Sequence, residues 1–254
     1  MKMRLPCFGL LLAAVAGTAP AAGLPPCMGP VVPFVAQAIR VDTNGVLTLK
    51  DGRRAVLEGL RLPRSDEDGA QQARQALWGM IAGRQITLAV TPTKEDRHGR
   101  LRAQVFVNGE WAQETLLREG VARVELLPGH PQCATQVYAA EAAARAAKRG
   151  LWAFGSYAVR SPDDLAHARG TFQIVEGRVV GAALKGGRAY LNFSDDWKHD
   201  FTVTISPEDM KAFKKAKVDP RDYAGKTIRV RGIIDWYRGP EIELMGPESV
   251  EEVE

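Results

Sequence analysis

The residues of this chain best suited to chemistry lie in the run Asp96-Arg97-His98-Gly99-Arg100, which precedes the alternating segment 101–107. The glycine predicts a tight turn, and the alternation predicts a strand directly after it. Such a turn presents Arg100 at the start of the strand, where its guanidinium can hold a phosphate through two parallel hydrogen bonds. His98 could also donate to a phosphate or act as an acid, although a histidine in such a turn is often simply exposed.

The elements that would position Arg100 follow from the pattern of apolar residues. Residues 30–60 alternate around Asn44-Gly45 and Asp51-Gly52, which predicts a three-stranded meander. Apolar spacing predicts helices at 66–82, 111–119 and 132–149 and strands at 85–90 and 101–107. This order of three strands, a helix, two strands and two helices is typical of an oligonucleotide-binding (OB) barrel with helical additions.

The second half predicts a smaller barrel of the same strand order. Residues 158–170 lack an apolar period and are predicted to be a linker. After the linker we expect strands at 172–183, 188–193, 201–205, 226–236 and 241–245, a helix at 207–215 and a frayed end at 248–254. The fold class is therefore mainly β with α, with two OB-fold-like barrels at residues 23–157 and 171–254.

Residues 1–22 are typical of a signal peptide. Lys2 and Arg4 precede an apolar stretch that is too short to span a membrane, and small residues suited to cleavage follow it. A membrane anchor is the alternative. We expect an exported protein, periplasmic or secreted, with no membrane span after cleavage.

The charge balance permits an anionic partner without requiring one. The whole chain has a formal net charge of +4, which falls to +2 without Lys2 and Arg4. Residues 23–157 carry net +4 and residues 158–254 carry net −2. A polyanion would therefore bind on the first barrel.

Cys27 and Cys133 remain after removal of the leader, an even number in an exported protein. This number predicts one disulfide that ties the mature N-terminus to the loop before a late helix, with two unpaired thiols as the alternative. Two cysteines so far apart in sequence do not have the spacing of a metal site.

Three further segments accompany the turn at residues 96–100. They are 56–63 (Val-Leu-Glu-Gly-Leu-Arg-Leu-Pro), 114–122 (Glu-Thr-Leu-Leu-Arg-Glu-Gly-Val-Ala) and the helix from Cys133 that closes on Gly150-Leu151-Trp152. Together they resemble the thermonuclease family of staphylococcal-nuclease-like domains over roughly residues 35–152. The resemblance implies a barrel that hydrolyses phosphodiesters with one Ca²⁺, held by two aspartates and a threonine. It also implies a glutamate that activates water and two arginines that hold the phosphate.

The functional positions implied by this resemblance are mostly substituted. The first metal aspartate falls on Asn44 or Gly45, the first arginine on Val56, the second aspartate on Arg61, the threonine on Leu62 and the glutamate on Arg64, so that only Arg100 is retained. A guanidinium donates hydrogen bonds and has no lone pair for a cation. We therefore expect the calcium site to be lost and no cofactor to be bound, and we leave open whether the protein is an enzyme.

The same exchange suggests a different use of the site. Arg61, Arg64 and Arg100 could face one pocket and, with His98, bind a phosphate without metal. Alternatively, Arg61 and Arg64 pair with the acidic residues 66–68 in a solvated network, or those acidic residues supply a displaced metal site.

In the second barrel, Tyr190, Phe193 and Trp236 could stack on bases, with core packing as the alternative. The sequence thus predicts an exported protein that binds nucleic acid or another polyanion through a degenerate phosphodiesterase site. One alternative is an active secreted nuclease with a rearranged site. Another is a periplasmic scaffold that recognises a protein partner.

Overall fold

The structure is a computed structural model that describes residues 24–28, 31–128, 133–196 and 200–253. The predicted signal peptide at residues 1–22 lies outside the described residues. Within those ranges, no helix combines the length and the apolar character needed to cross a bilayer.

The first half folds into a barrel with helices on its surface. Its elements are β1 (Val32–Val41), β2 (Leu47–Leu49), β3 (Arg54–Leu57), β4 (Gly59–Arg61), α1 (Ala70–Ile81), β5 (Gln85–Glu95), β6 (Leu101–Val107), β7 (Glu110–Trp111), α2 (Ala112–Arg118), β8 (Arg123–Glu125) and α3 (Ala134–Ala146). Strands β3, β2, β1, β5 and β6 are neighbours in that order, and a parallel pairing of β3 with β6 closes the ring. The predicted meander and the mainly β class with an OB-like barrel are confirmed.

Alternation along the strands and helical spacing fill the first core. On β6, Leu101, Ala103 and Val105 are buried and the residues between them are half-buried. On α1, Leu77 and Ile81 are completely buried, four residues apart on one face. The side of β6 that carries Arg102 and Gln104 is therefore turned away from this core.

Two glycines join the ends of α2 and α3 by direct backbone contact. The N–H of Leu151 donates to the carbonyl of Gly120 at 2.8 Å. A Cβ on Gly120 would lie 2.4 Å from the carbonyl oxygen of Arg149, and a Cβ on Gly150 would lie 2.5 Å from that of Gly120. Both glycines also have positive φ, which residues with a Cβ adopt only with strain.

The second half, for which we keep the name second barrel from its predicted fold, contains two sheets around a second core. Its elements are β9 (Phe172–Arg178), β10 (Gly181–Lys185), β11 (Arg188–Asn192), β12 (Thr202–Ile205), α4 (Met210–Lys215), β13 (Thr227–Ile233), β14 (Asp235–Tyr237), β15 (Gly239–Glu243) and β16 (Val250–Val253). The sheets have the orders β10-β11-β12-β15-β14 and β16-β13-β9. Among the described residues no strand pairing closes these sheets into one ring, so the closure of the second barrel stays a prediction. The predicted hairpin about Gly186-Gly187 forms between β10 and β11.

The structure corrects two details of the second half. The predicted strand 172–183 is divided between the two sheets, because the N–H of Val179 bonds to Lys226 beside β13 and the N–H of Val180 bonds to Asn192 of β11. The predicted frayed end is also wrong, since β16 pairs with β13 in antiparallel register. Glu251 of this end pairs with Arg229 and Arg231 of β13, and Glu252 pairs with Lys226, contacts that a solvated tail would not have.

The segment predicted as a linker is packed against both neighbours. Arg160 exchanges backbone hydrogen bonds with Ile174 and Glu176 of β9. Leu165 is completely buried in the second core, and Tyr157 joins Trp152 and Phe172 in a small cluster between the two large cores. The boundaries 23–157 and 171–254 remain a prediction.

A buried ion pair connects the two barrels. Arg231 on β13 donates to both carboxylate oxygens of Glu141 on α3, at 3.1 and 3.0 Å, and both side chains are at most 1% exposed. Arg231 also donates to the carbonyl of Val124 and pairs with Glu251. Burial alone would lower the pKa of Arg231, but the carboxylates and Tyr138 raise it above its usual value, so the guanidinium stays charged.

Cys27 and Cys133 form the predicted disulfide, with 5.0 Å between their Cα atoms. The bond joins the start of the described chain to the residue before α3 and closes a loop with a sequence separation of 106 residues. The prediction of a single bridge is confirmed.

Reduction of this bridge should destabilise the protein. In the chain-entropy model, a loop of about 100 residues contributes about 4–5 kcal/mol to the free energy of unfolding. We expect thermal unfolding with reductant to begin at a lower temperature than without it, and Cys27→Ser/Cys133→Ser to unfold like the reduced protein in both conditions. Two thiols that react at once in the untreated, unfolded protein would contradict the bridge.

Removal of the carboxylate at the barrel interface should have a larger effect than any surface ion pair. Glu141→Ala leaves Arg231 buried beside one remaining carboxylate and should lower the free energy of unfolding by about 3 kcal/mol or more. The control is Asp219→Ala, which removes the exposed Asp219–Arg221 pair together with the cap hydrogen bond from the N–H of Arg221, and it should have a smaller effect. Chemical denaturation measures both values, and equal effects would show that the buried pair is not a stabilising contact.

Candidate functional site

The turn before β6 is organised by the carboxylate of Asp96. Its Oδ1 accepts the backbone N–H groups of His98 and Arg100 at 2.8 and 3.1 Å. Its Oδ2 accepts Nε and Nη2 of the Arg100 side chain, both at 2.6 Å. Gly99 takes the positive φ of 67° that the reversal requires. The turn therefore fixes Arg100 in one orientation before any ligand binds.

These contacts determine the charge of Asp96. Burial raises the pKa of the carboxyl, but the hydrogen bonds from the Arg100 side chain and from the backbone of Arg100 and His98 outweigh it and lower the pKa to about 2. Asp96 is thus ionised at neutral pH and offsets part of the charge of Arg100.

A cleft of about 400 Å³ opens beside this turn. Its wall is formed by the β1–β2 turn, β3, β4 with the residues after it, and the start of β6. Every position that the resemblance implied for catalysis lines this one cleft: Asn44, Gly45, Val56, Arg61, Leu62, Arg64 and Arg100. These residues are far apart in the sequence but lie together in the fold. We refer to this place as the arginine cleft.

Arg61 and Arg64 reach the cleft with acidic partners of their own. Arg61 pairs with Glu125 at 3.3 Å and lies over the ring of Phe172, and its side chain is only 18% exposed. Arg64 pairs with Asp66 and Glu67 at 3.5 and 3.4 Å and is 48% exposed. The structure combines both hypotheses, because the arginines line one cleft and also pair with acids. Arg61 does so with Glu125 rather than with residues 66–68.

Arg102 is a fourth arginine of the cleft that the sequence prediction missed. Its side chain makes no hydrogen bond or ion pair to any residue that the structure describes, in contrast to Arg61, Arg64 and Arg100. The signal that could have found it is the alternation of β6, which puts residues 100 and 102 on the same face of the chain.

His98 does not line the arginine cleft. Its side chain is exposed at the tip of the turn, where its Nε2 accepts a hydrogen bond from Nε of Arg97 at 3.1 Å. The structure therefore favours the alternative of an exposed turn histidine over a phosphate ligand within the cleft.

The aromatic residues of the second barrel are not gathered into a stacking surface. Phe193 is buried and packs on Phe201 with ring centroids 4.9 Å apart, so core packing removes it as a candidate for base stacking. Tyr190 is half-buried on β11, and Trp236 is 37% exposed on β14. None of the three lines the arginine cleft.

Carboxylates near the cleft are engaged by basic or hydroxyl groups. Asp66 and Glu67 pair with Arg64, and Asp68 accepts a hydrogen bond from Ser156 at 2.7 Å. Among the described residues, no three His, Cys, Asp or Glu side chains are grouped so that they could hold a metal ion.

Comparison with known proteins finds similarity over most of the first barrel. Residues 54–154 match the family described as Staphylococcal nuclease homologue. The chain is 32% identical over 101 residues to an uncharacterized 38.1 kDa protein of Capnoides sempervirens, a match that covers 39% of this chain and 28% of that protein. It is 30% identical over 113 residues to a probable staphylococcal-like nuclease, CAN1, of Oryza sativa subsp. japonica, with 44% and 32% covered. The chain therefore aligns with less than a third of the length of each relative.

The low pKa of Asp96 makes a pH-dependent contribution to stability. A carboxyl with a pKa of about 2 when folded and about 3.8 when unfolded stabilises the fold above pH 4 by roughly 2 kcal/mol, and this contribution is lost as the pH falls toward 2. We expect the destabilisation caused by Asp96→Asn to be largest at neutral pH and to shrink between pH 4 and 2. Denaturant unfolding at several pH values measures it, with the exposed Asp163→Asn as control. A difference that stays constant from pH 7 to 2 would contradict the assignment.

Proposed function

From the staphylococcal-nuclease type of domain at residues 54–154, we propose that this protein binds nucleic acid or another polyanion in the arginine cleft and has lost calcium-dependent hydrolysis. The observation that carries the proposal is the gathering of Arg61, Arg64, Arg100 and Arg102 around one cleft. Guanidiniums match the geometry of phosphate oxygens and keep their charge at any physiological pH.

The donor set of the cleft does not fit a calcium ion. Calcium takes six to eight oxygen ligands, with carboxylates supplying most of the affinity. At the positions that the resemblance implies for ligands, the cleft has the amide or backbone of Asn44-Gly45, the guanidinium of Arg61 and the apolar Leu62. Of its three carboxylates, those of Asp96 and Glu125 are already paired with arginines, and Glu58 alone cannot supply the six to eight oxygen ligands. This chemistry supports the loss of the calcium-dependent reaction.

The charges of the cleft support an anionic ligand. Four arginines line it against three carboxylates, those of Glu58, Asp96 and Glu125. Three of the arginines are held by acids, which fixes their direction but reduces the charge that each offers. A phosphate that enters the cleft can share these guanidiniums, since each has five N–H donors and uses only some of them on its partner.

We also propose that the protein works outside the cytoplasm. Structural disulfides persist in oxidising compartments and are rare in the cytosol. The Cys27–Cys133 bond supports this location, together with the signal-like residues 1–22 of the sequence.

A cleavage assay and a binding assay together test the proposed function. With a fluorescein-labelled 20-base-pair DNA duplex, we expect no calcium-stimulated cleavage and a binding that weakens as salt rises. Three phosphate contacts would give a log–log slope of about −2.7, at roughly −0.9 per contact. Arg100→Gln should weaken binding, because it removes hydrogen bonds that are directed at a phosphate.

The matched control for Arg100→Gln is Arg40→Gln. Arg40 is an exposed arginine of β1 that does not line the cleft, and its side chain has no partner among the described residues. Strong calcium-dependent cleavage that is abolished by Arg100→Gln would establish an active nuclease with a rearranged site instead. The absence of any salt-dependent binding would leave the protein-recognition alternative.

A further inference from the structure

Arg102 differs from the other arginines of the cleft in its lack of a counter-charge. Arg100 is held by Asp96 through two contacts of 2.6 Å, Arg61 by Glu125, and Arg64 by two acids. The guanidinium of Arg102 has no hydrogen bond, ion pair or ring contact with any described residue, although it lines the same cleft. It therefore contributes a full positive charge and all five of its N–H donors to an incoming anion.

The strand places Arg102 beside Arg100. Leu101 and Ala103 are buried in the barrel core, so the intervening Arg102 lies on the opposite face of β6. Side chains at positions i and i+2 of a strand share one face, about 6.6 Å apart along the chain. Arg100, the residue directly before β6, and Arg102 on β6 thus lie on one face of the chain, and both line the cleft.

The strand pairing that closes the barrel determines which residue of β3 lies beside Arg102. In the parallel pairing of β3 with β6, Val56 and Arg102 are direct partners. Paired residues of neighbouring strands point to the same side of a sheet, with their Cβ atoms about 5 Å apart. Both residues line the cleft, and Val56 has an apolar side chain that cannot hold an anion. The guanidinium at this place in the cleft therefore comes from the neighbouring strand.

We propose that Arg102 is the main phosphate-binding residue of the cleft. It takes the place of the arginine that the resemblance implies at position 56, where this chain has a valine. This inference rests on the proposed binding function and names the residue that carries it. In this arrangement Arg102 supplies the unneutralised charge, and Arg100, oriented by Asp96, supplies the directed hydrogen bonds. One phosphodiester group of a nucleic-acid backbone then binds between the two side chains.

The test compares Arg102→Gln with Arg100→Gln and Arg40→Gln on the same labelled duplex. Arg102→Gln should weaken binding about tenfold at low salt and reduce the log–log salt slope by about 0.9. This loss should exceed that of Arg100→Gln, whose charge is already shared with Asp96. Arg40→Gln, the same substitution on another strand of the first sheet, should bind like the wild type. Unchanged thermal unfolding would confirm that the variants are folded.

A swap of the two partners gives a sharper test. Arg102→Val alone should lose binding, and the double variant Val56→Arg/Arg102→Val should regain most of it, since the guanidinium returns to the same place in the cleft from β3. The proposal would be overturned if wild type binds and Arg100→Gln weakens binding while Arg102→Gln does not. A wild-type protein that does not bind the duplex at any salt concentration would instead refute the proposed function itself.

Discussion

Neither Arg231 nor Glu141 is exposed to water, and the contact between them joins β13 of the second barrel to α3 of the first. The carboxylate of Glu141 also makes a hydrogen bond within the first barrel. Its Oε1 accepts the backbone N–H of Val124 on β8 at 2.7 Å. Since β8 pairs with β4, the strand that ends at Arg61, one carboxylate links the second barrel to the wall of the arginine cleft. Separation of a buried ion pair leaves its charges without partners and without water, which is unfavourable, so this linkage favours one arrangement of the elements that it joins.

The second barrel therefore takes part in the site of the first. Phe172, the first residue of β9, lies under the guanidiniums of both Arg61 and Arg123, at 4.9 and 4.8 Å from its ring centre. Its carbonyl also accepts a hydrogen bond from the buried Arg123 at 2.9 Å. Arg61 is thus oriented by Glu125 on one side and by a residue of the other barrel on the opposite side. The cleft depends on the docking of the two units as well as on the fold of the first barrel.

The fold could be predicted largely from the sequence, because it follows from local patterns. Alternation gives the bounds of β6 without error, and helical spacing places α1, α2 and α3 within a few residues. The division of residues 172–183 between two sheets could not be predicted, since it depends on which distant strand each backbone N–H meets. The pairing of β16 could not be predicted either. Its charged residues are typical of a solvated tail, and only the structure shows that Glu251 pairs with Arg229 and Arg231 of β13.

The site was predicted in part for the same physical reason. The turn motif indicated Arg100, and the resemblance of segment 56–63 to the thermonuclease family indicated Arg61 and Arg64, all of which line the cleft. Arg102 was missed because its importance comes from a neighbour across the barrel closure and from the absence of a counter-charge, neither of which a linear pattern contains. The sequence left base stacking and core packing both open for Phe193, because an aromatic residue on a strand can face either solvent or the core, and the contact with Phe201 shows that it faces the core.

The position of β16 has a consequence for the order in which the molecule assembles. Glu251, a counter-ion of the buried Arg231, lies within a few residues of the last described residue. During synthesis from the N-terminus, the first barrel and Glu141 leave the ribosome well before this carboxylate does. The interface between the two units therefore lacks one of its ion pairs until residue 251 has been synthesised. Complete docking depends on β16, and a chain that stops before Val250 would lose the Arg231–Glu251 pair together with the strand that borders β13.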